Sequence, residues 1–314
     1  MTLISSRLSN RRPSCCARDD LGLDERVVAQ RAGRALAYGM GRRLSCERVR
    51  VVGSFLPCSW VKTHLPHQPS VVLFDVYRTL LVLDDDQTDV VLLERLVRWF
   101  SYRGLTVTAD HFLELRNALT TEHLERARVS RGTEFPDVDV VEILVELILH
   151  LSCGRYPRAH ELAAELALIL RDATTTSLTL VPGVAEVLGS LSGRTRLGIV
   201  SNTQRAYTIH ELERFDLLGH FDALVFSSDV GACKPDPRPF RRCLAALGDP
   251  SEAVYVGDNP FDDVVGAHAA GLSALLLTWP NERTPALGSA ADDAPEATLD
   301  VTDIIRLPAL LGFD

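Results

Sequence analysis

The sequence of 314 residues has no long apolar run, no paired cysteines and almost no lysine. No apolar stretch reaches the ~18 residues that a membrane-spanning helix requires, so we expect no membrane association. The seven cysteines show no CxxC pair and no regular spacing, which argues against a disulfide framework and against a zinc site. These absences predict a protein of the reducing cytoplasm. An apolar content of 46% is enough for a sizeable core.

Positive charge is unevenly distributed along the chain. Residues 1–70 carry eleven Arg and one Lys against five acids, a net charge of +7, so the remainder carries −16 of the total of −9. An acidic body is a poor nucleic-acid binder, and we expect no nucleic-acid partner. Any anionic substrate must therefore be met by local positive charge. Only Lys62 and Lys234 are lysines among the 33 basic residues.

The first 69 residues form an Arg-rich extension with little periodicity, in which only a short helix from Glu25 to Tyr38 is predicted. A targeting peptide fits badly, because Asp19 and Asp20 are acidic and no apolar region of the secretory type is present. A basic tail for an anionic partner is a second interpretation. We favour a third, a poorly organised appendage to the rest of the chain.

From Ser70 onward the sequence predicts an α/β protein with a doubly wound parallel sheet. Short apolar runs alternate with helical sequence at 71–74, 196–200, 223–227, 253–256 and 274–277. Residues 85–179 show no comparable strand run and instead repeat apolar residues every three or four positions, which predicts a helical insertion after the first strand. The α/β core is then expected at 70–84 and 180–314.

Polar residues follow the predicted strands at the points where the strands end. In an open parallel sheet, ligands bind beyond the carboxyl ends of the strands, so these residues are the candidates for a functional site. They are Asp75, Thr79, Ser201, Asn202, Lys234, Asp258, Asp262 and Asp263. We expect them to converge on one edge of the sheet.

These residues form four motifs in a recognisable order: Asp75 and Thr79, then Ser201, then Lys234, then the acidic run GDNPFDD that begins at Gly257. In this order the chain resembles the haloacid dehalogenase superfamily of hydrolases, from Val71 to the C-terminus. The helical insertion is similar to the C1 cap of the first subclass of that superfamily. The resemblance implies a hydrolase with an aspartate nucleophile, a small-molecule anionic substrate and a cap that selects this substrate.

The chemistry of each motif fits phosphoryl transfer. A carboxylate such as Asp75 can attack phosphorus and form a covalent intermediate that water hydrolyses. The transferring group carries dispersed negative charge, which hydroxyl donors from Thr79 and Ser201 and the ammonium of Lys234 can stabilise.

The carboxylate oxygens of these motifs are also hard ligands that suit Mg²⁺. The expected ligands are Asp75, Asp258 and the backbone carbonyl of Tyr77. Either Asp262 or Asp263 supplies a further carboxylate, and the sequence leaves open which of the two does so.

Tyr77 departs from the pattern of the phosphatases that the chain resembles. Those enzymes usually have a second acid two residues after the nucleophile, whereas a phenol with an ordinary pKa near 10 is a poor base at neutral pH. The dehalogenase branch is similar to this chain in its Asp-x-Tyr motif and in Ser201-Asn202, but it uses no metal and lacks the acidic cluster of the fourth motif.

Arg78 is a second departure, because the family usually has Gly at that position. If the backbone there needs a positive φ, Arg costs about 1 kcal/mol or more. Alternatively, its guanidinium binds the substrate together with Ser201, Asn202 and Lys234, or the side chain lies harmlessly on the surface.

We therefore expect a Mg²⁺-dependent phosphatase of a small phosphorylated metabolite. A metal-independent 2-haloacid dehalogenase is the first alternative. A protein that has kept the fold but works by binding, with little turnover, is the second.

Overall fold

The computed structural model describes residues 68–85, 90–280, 295 and 297–313. The predicted extension at 1–69, with its helix from Glu25 to Tyr38, lies outside the described residues except for its last two positions. Within the described part of the chain, no helix combines the length and the apolar character needed to cross a membrane.

Eight strands and ten α-helices are found in the described residues. The strands are β1 (Val71–Phe74), β2 (Leu81–Asp85), β3 (Thr175–Leu180), β4 (Arg196–Ser201), β5 (Ala223–Phe226), β6 (Ala253–Gly257), β7 (Ser273–Thr278) and β8 (Ala297–Asp300). The helices are α1 (Val90–Tyr102), α2 (Ala109–Arg131), α3 (Val140–Leu151), α4 (Ala159–Thr174), α5 (Val184–Leu191), α6 (Arg205–Arg214), α7 (Ser227–Val230), α8 (Arg238–Ala246), α9 (Gly266–Ala269) and α10 (Leu307–Leu310).

Six strands form one parallel sheet in the order β5, β4, β1, β6, β7, β8, which confirms the predicted fold class. β1 lies in the middle, where Phe74 pairs with Ile199 of β4 on one side and with Val256 of β6 on the other. The residues that follow these three strands therefore meet at one edge of the sheet, as the pattern of strand ends predicts.

Both faces of the sheet are covered, which explains why its strands are nearly continuous apolar runs. Val72 and Phe74 pack into one hydrophobic cluster with side chains of α5 and α6, and Val71 and Leu73 pack into another with side chains of α8. Gly198 of β4 is required for this packing, because a Cβ there would lie 2.7 Å from Leu73 Cδ2.

The segment between β2 and β3 contains α1 to α4 and has a hydrophobic cluster of its own. The fully buried members of this cluster include Phe100, Leu144, Leu147, Ile148 and Leu166. The helical periodicity predicted in this region therefore corresponds to real helices, and the division into core and cap stays a prediction that this separate cluster supports.

β2 and β3 correct the expectation that the insertion contains no strand. They form an antiparallel pair in which Leu81 is opposite Leu180, and the predicted boundaries at 85 and 179 fall within this pair. The signal was weak because the two strands are only partly buried and β3 alternates Thr and Ser with Leu. Such a strand lacks the apolar run that marks a strand of a covered sheet.

Candidate active site

The loop after β1 places Asp75 and Thr79 at the carboxyl edge of the sheet. The Asp75 backbone N–H donates to Val256 O of β6 at 2.9 Å, which ties the start of the loop to the neighbouring strand. Asp75 is 9% exposed, so its carboxylate can still be reached from outside. Thr79 is fully buried, and its hydroxyl has no hydrogen-bond partner within the described part of the chain. A buried hydroxyl without a hydrogen-bond partner is a group that a ligand can satisfy.

Lys234 lies in the centre of the site, where it is almost completely buried. Its Nζ lies 2.9 Å from Asp75 Oδ1 and 2.6 Å from Asp263 Oδ1, and it donates to the Tyr255 hydroxyl at 2.7 Å. Burial alone lowers the pKa of an ammonium, but the carboxylates of Asp263 and Asp75 outweigh this and raise the pKa of Lys234. The side chain is therefore a permanent cation next to the proposed nucleophile.

Asn202 holds the backbone of Lys234 with a pair of hydrogen bonds. Its side-chain oxygen accepts from Lys234 N at 2.7 Å, and its amide nitrogen donates to Lys234 O at 3.1 Å. Ser201, the last residue of β4, is buried at the same edge because β4 pairs with β1. The geometry thus gives Asn202 a role in fixing the lysine loop, where the sequence suggested contact with the substrate.

Three carboxylates form a candidate metal site. Asp75, Asp258 and Asp263 each offer an oxygen, and these oxygens lie within 4.8 Å of one another. Burial, reinforced by the charges of Asp263 and Asp75, raises the pKa of Asp258 to about 7. A group of three carboxylates so close together suits a divalent cation, because such ions prefer negatively charged oxygen ligands.

The two candidate aspartates of the fourth motif differ in their surroundings. Asp263 belongs to the carboxylate group, and its second oxygen accepts from Asn259 N at 2.8 Å. Asp262 is half-buried, and its carboxylate accepts from the Asn259 side-chain amide at 3.2 Å. Gly257 makes the approach of Asp263 possible, because a Cβ there would lie only 2.3 Å from Asp263 Oδ2.

The backbone of Arg78 has a positive φ of 64°. This agrees with the Gly that the family usually has at this position. Its Nε lies 2.5 Å from Asp258 Oδ2, and its guanidinium stacks 4.9 Å from the ring centroid of Trp279. The Trp279 indole N–H donates to Arg78 O at 2.9 Å. The structure therefore places the guanidinium on a proposed metal ligand. We call Asp75, Arg78, Lys234, Asp258 and Asp263 the site cluster.

Tyr77 lies in a second polar cluster beside the first. Its hydroxyl donates to Glu211 Oε2 at 2.6 Å, accepts from Arg171 Nη2 at 2.8 Å and lies 3.2 Å from Thr208 Oγ1. Arg171 also donates from Nε to Glu211 Oε1 at 2.6 Å. Burial first, and the charge of Glu211 in addition, raise the pKa of Tyr77 against the opposing effect of Arg171. We call Tyr77, Arg171, Thr208 and Glu211 the flanking cluster.

The segment between α2 and α3 lies over the loop that carries Lys234. Cys233 N donates to Phe135 O at 2.8 Å, and the Phe135 ring meets the Phe261 ring edge-on with the centroids 6.1 Å apart. Asp137 in this segment is buried, its Oδ1 accepts from Val138 N at 2.9 Å, and burial raises its pKa to about 7. The segment between α2 and α3 thus packs against two parts of the site, those that contain Cys233 and Phe261.

Several residues at or near the site escaped the sequence analysis. They are Tyr255 and Trp279 at the site cluster, Arg171 and Glu211 in the flanking cluster, and Phe135 and Asp137 in the covering segment. Trp279 could have been found, since it lies just past β7 at the same edge. The others carry no signal in their spacing.

Comparison with known families identifies the class of protein. The family described as haloacid dehalogenase-like hydrolase matches residues 72–277, which is well over half of the chain. The chain therefore belongs to this family, as the four motifs predict.

Curated relatives with similar sequences are phosphatases. Pyrimidine 5'-nucleotidase YjjG of Escherichia coli is 34% identical over 109 residues, which cover 34% of this chain and 48% of the relative. Phosphoserine phosphatase of Thermus thermophilus is 47% identical over 75 residues, or 22% of this chain and 30% of the relative. The matched segments thus span half or less of the length of these two relatives.

One solved structure with similar architecture is a dehalogenase. The 2-haloacid dehalogenase of Pseudomonas syringae is 26% identical with a TM-score of 0.53, and the match covers 78% of this chain and 98% of that protein.

Proposed function

We propose that this protein is a Mg²⁺-dependent phosphatase that acts on a small phosphorylated metabolite. The observation that carries the proposal is the group of Asp75, Asp258 and Asp263, whose ligand atoms lie within 4.8 Å of one another beside the ammonium of Lys234. A dehalogenase that binds a haloacid without a metal has no use for three carboxylates at this place, because they repel the carboxylate of its substrate.

Asp75 is the proposed nucleophile. One of its carboxylate oxygens attacks phosphorus, the bond from phosphorus to the leaving oxygen breaks, and the electron pair stays on the leaving oxygen. Water then attacks the aspartyl phosphate, which releases inorganic phosphate and restores the carboxylate. The 9% exposure of Asp75 provides the access that this chemistry needs.

The other residues of the edge stabilise the phosphoryl group in this proposal. The ammonium of Lys234 and the hydroxyls of Thr79 and Ser201 meet the charge on its oxygens, and the unpartnered Thr79 hydroxyl supports this assignment. Asn202 acts through the backbone of Lys234.

The ligands that we propose for Mg²⁺ are Asp75, Asp258, Asp263 and the backbone carbonyl of Tyr77. When bound, the ion supplies positive charge that offsets the negative charge of the transferring phosphoryl group. The acidic body of the chain makes such local positive charge necessary for any anionic substrate.

The phenol of Tyr77 is a poor replacement for the second acid. Its hydroxyl already donates to Glu211, and its raised pKa makes it a weaker acid than an ordinary phenol. We therefore propose substrates whose leaving group needs little protonation, such as acyl or aryl phosphates. Simple alkyl phosphates are expected to be slow substrates.

A metal-independent 2-haloacid dehalogenase is the second candidate. The likeness to the Pseudomonas syringae enzyme favours it, together with the Asp75-x-Tyr77 motif and the Ser201-Asn202 pair. A halide leaves without a proton, so this chemistry needs no second acid.

A substrate panel separates the candidates. Acyl, aryl and alkyl phosphates and short 2-haloacids are incubated with the full chain in Mg²⁺ and, separately, in EDTA, and phosphate and halide are measured. We expect phosphate release only in Mg²⁺, with aryl and acyl phosphates fastest. Release of chloride from 2-chloropropionate in EDTA would establish the dehalogenase instead, and no turnover of any compound would favour a binding protein. The free thiols of Cys233 and Cys243 are consistent with the cytoplasmic location that we propose.

A further inference from the structure

Arg78 and Lys234 pair with different members of the carboxylate group. Lys234 Nζ contacts Asp75 and Asp263, whereas Arg78 Nε contacts Asp258 at 2.5 Å. Each of the three carboxylates that form the candidate metal site is thus paired with a basic side chain of the chain itself.

Two contacts with Trp279 hold Arg78 in this position. The indole N–H donates a hydrogen bond to the Arg78 carbonyl oxygen at 2.9 Å, and the guanidinium carbon lies 4.9 Å from the centroid of the indole ring. The backbone of Arg78 stays in the left-handed region, at φ 64°, although Arg is not suited to it. A stacked, ion-paired guanidinium has little freedom to leave its partner.

The charges of the site cluster show what this arrangement changes. Three carboxylates face two permanent cations, which leaves a formal charge of −1 when all three are ionised. Without Arg78 the balance is −2, which matches a divalent cation. The guanidinium therefore repels a metal ion at the place where Asp258 would bind it.

We propose that Arg78 is a tethered competitor of the divalent cation: it occupies Asp258 when the metal is absent, and metal binding displaces it from Asp258 and alters its stacking on Trp279. This inference rests on the metal site of the proposed function. It implies that Arg78 lowers the affinity of this chain for Mg²⁺. It also implies that the fluorescence of Trp279 changes when the metal binds.

Calorimetric titration of the full chain with Mg²⁺ tests the affinity, without any measurement of activity. Arg78→Gly suits the positive φ and removes the cation, and we expect it to bind Mg²⁺ at least tenfold more tightly than the wild type. Arg78→Asn, which also tolerates this backbone, should behave in the same way, while Arg78→Lys keeps the charge and should shift the affinity less.

Arg205 provides a matched control. It pairs with Asp229 at 2.7 Å and stacks 4.9 Å from the ring centroid of Phe226, so Arg205→Ala removes the same kinds of contact away from the carboxylates. We expect this variant to bind Mg²⁺ with the wild-type affinity. A gain equal to that of Arg78→Gly would show that the effect is not local and would overturn the inference.

Tryptophan fluorescence tests the displacement. Mg²⁺ should change the emission of the wild type, and the change should be lost in Trp279→Phe and in Arg78→Gly. Equal Mg²⁺ affinity in the wild type and in Arg78→Gly would overturn the competitor role but leave the metal site in place. Absence of Mg²⁺ binding in every variant, Arg78→Gly included, would refute the metal site itself and the inference with it.

Discussion

The site cluster and the flanking cluster lie on either side of the same short loop, yet their charges are balanced differently. In the flanking cluster one cation, Arg171, faces one carboxylate, Glu211, and the Tyr77 hydroxyl bonds to both. In the site cluster three carboxylates crowd together with two cations. Thr79, on the same loop as Asp75, has a buried hydroxyl with no hydrogen-bond partner among the described residues.

The difference separates a structural role from a functional one. A buried ion pair whose groups are all hydrogen-bonded is self-sufficient and resists change. A cluster with surplus carboxylates is stabilised when a cation binds to it, and the pKa of Asp258, raised to about 7 by burial and by the charges of Asp263 and Asp75, reflects this surplus. The surplus of negative charge, and not burial alone, marks the place where chemistry is expected.

Replacement of the proposed nucleophile should have the largest effect. Asp75→Asn removes the attacking oxygen but keeps the shape, and we expect kcat to fall by ~10³-fold or more. The thermal unfolding temperature should stay within a few degrees of the wild type. In the flanking cluster, Thr208→Val is the control and should leave kcat nearly unchanged. Residual activity of more than a few per cent in Asp75→Asn would mean that another group attacks the substrate.

Removal of the central cation of each cluster tests the comparison directly. Lys234→Met should lower kcat/KM by ~10²-fold and should also destabilise the fold by about 3–5 kcal/mol, because Asp75 and Asp263 lose their shared ammonium. Arg171→Met should cost a similar stability but change the kinetics only a few-fold. Urea unfolding and steady-state kinetics measure both effects.

Added Mg²⁺ distinguishes the two variants further. It should restore part of the stability of Lys234→Met, since the ion can neutralise the crowded carboxylates, but none of the stability of Arg171→Met. Near-normal kinetics for Lys234→Met would show that the third motif has been assigned to the wrong residue.

Asp137 is a third case, a buried carboxyl group that belongs to neither cluster. It accepts hydrogen bonds from a backbone amide and from a side-chain amide. Its pKa of about 7 in the folded state lies above the unfolded value of 3.8, so the folded state binds the proton more tightly. The stability that this provides is complete below pH 3.8 and is lost as the pH rises through about 7.

Asp137→Asn should abolish that loss. At pH 8 the variant should be more stable than the wild type by roughly 2 kcal/mol, and the full pKa difference sets an upper limit of about 4 kcal/mol on this gain. Near pH 4 the two proteins should be equally stable. Urea unfolding at several pH values measures the difference. A constant difference at all pH values would contradict the raised pKa.

The smallest effect is expected for the phenol itself. Tyr77→Phe leaves the Arg171 to Glu211 ion pair in place, so we expect a loss of about 1–2 kcal/mol and a rate on aryl phosphates within ~3-fold of the wild type. Plots of log kcat/KM against leaving-group pKa should be equally steep for both proteins. A steeper slope in the variant would identify the phenol as the proton donor.

The site cluster was largely predictable from sequence, whereas the flanking cluster was not. Asp75 and the aspartates of the fourth motif follow buried strands, and a parallel sheet brings the ends of its strands together. Tyr77 contacts Arg171 and Glu211 across 94 and 134 residues of sequence. These two lie on helices, where a charged residue normally faces solvent, and only tertiary packing turns them inward.

The antiparallel pairing of β2 with β3 has a consequence for protein engineering. Because Leu81 lies opposite Leu180, the inserted helices leave the core and return to it through neighbouring backbone positions. An exchange of the inserted helices at these two points therefore leaves the residues of the parallel sheet unchanged. We expect chimaeras that are joined to distant relatives at this pair to keep the site at the edge of the sheet.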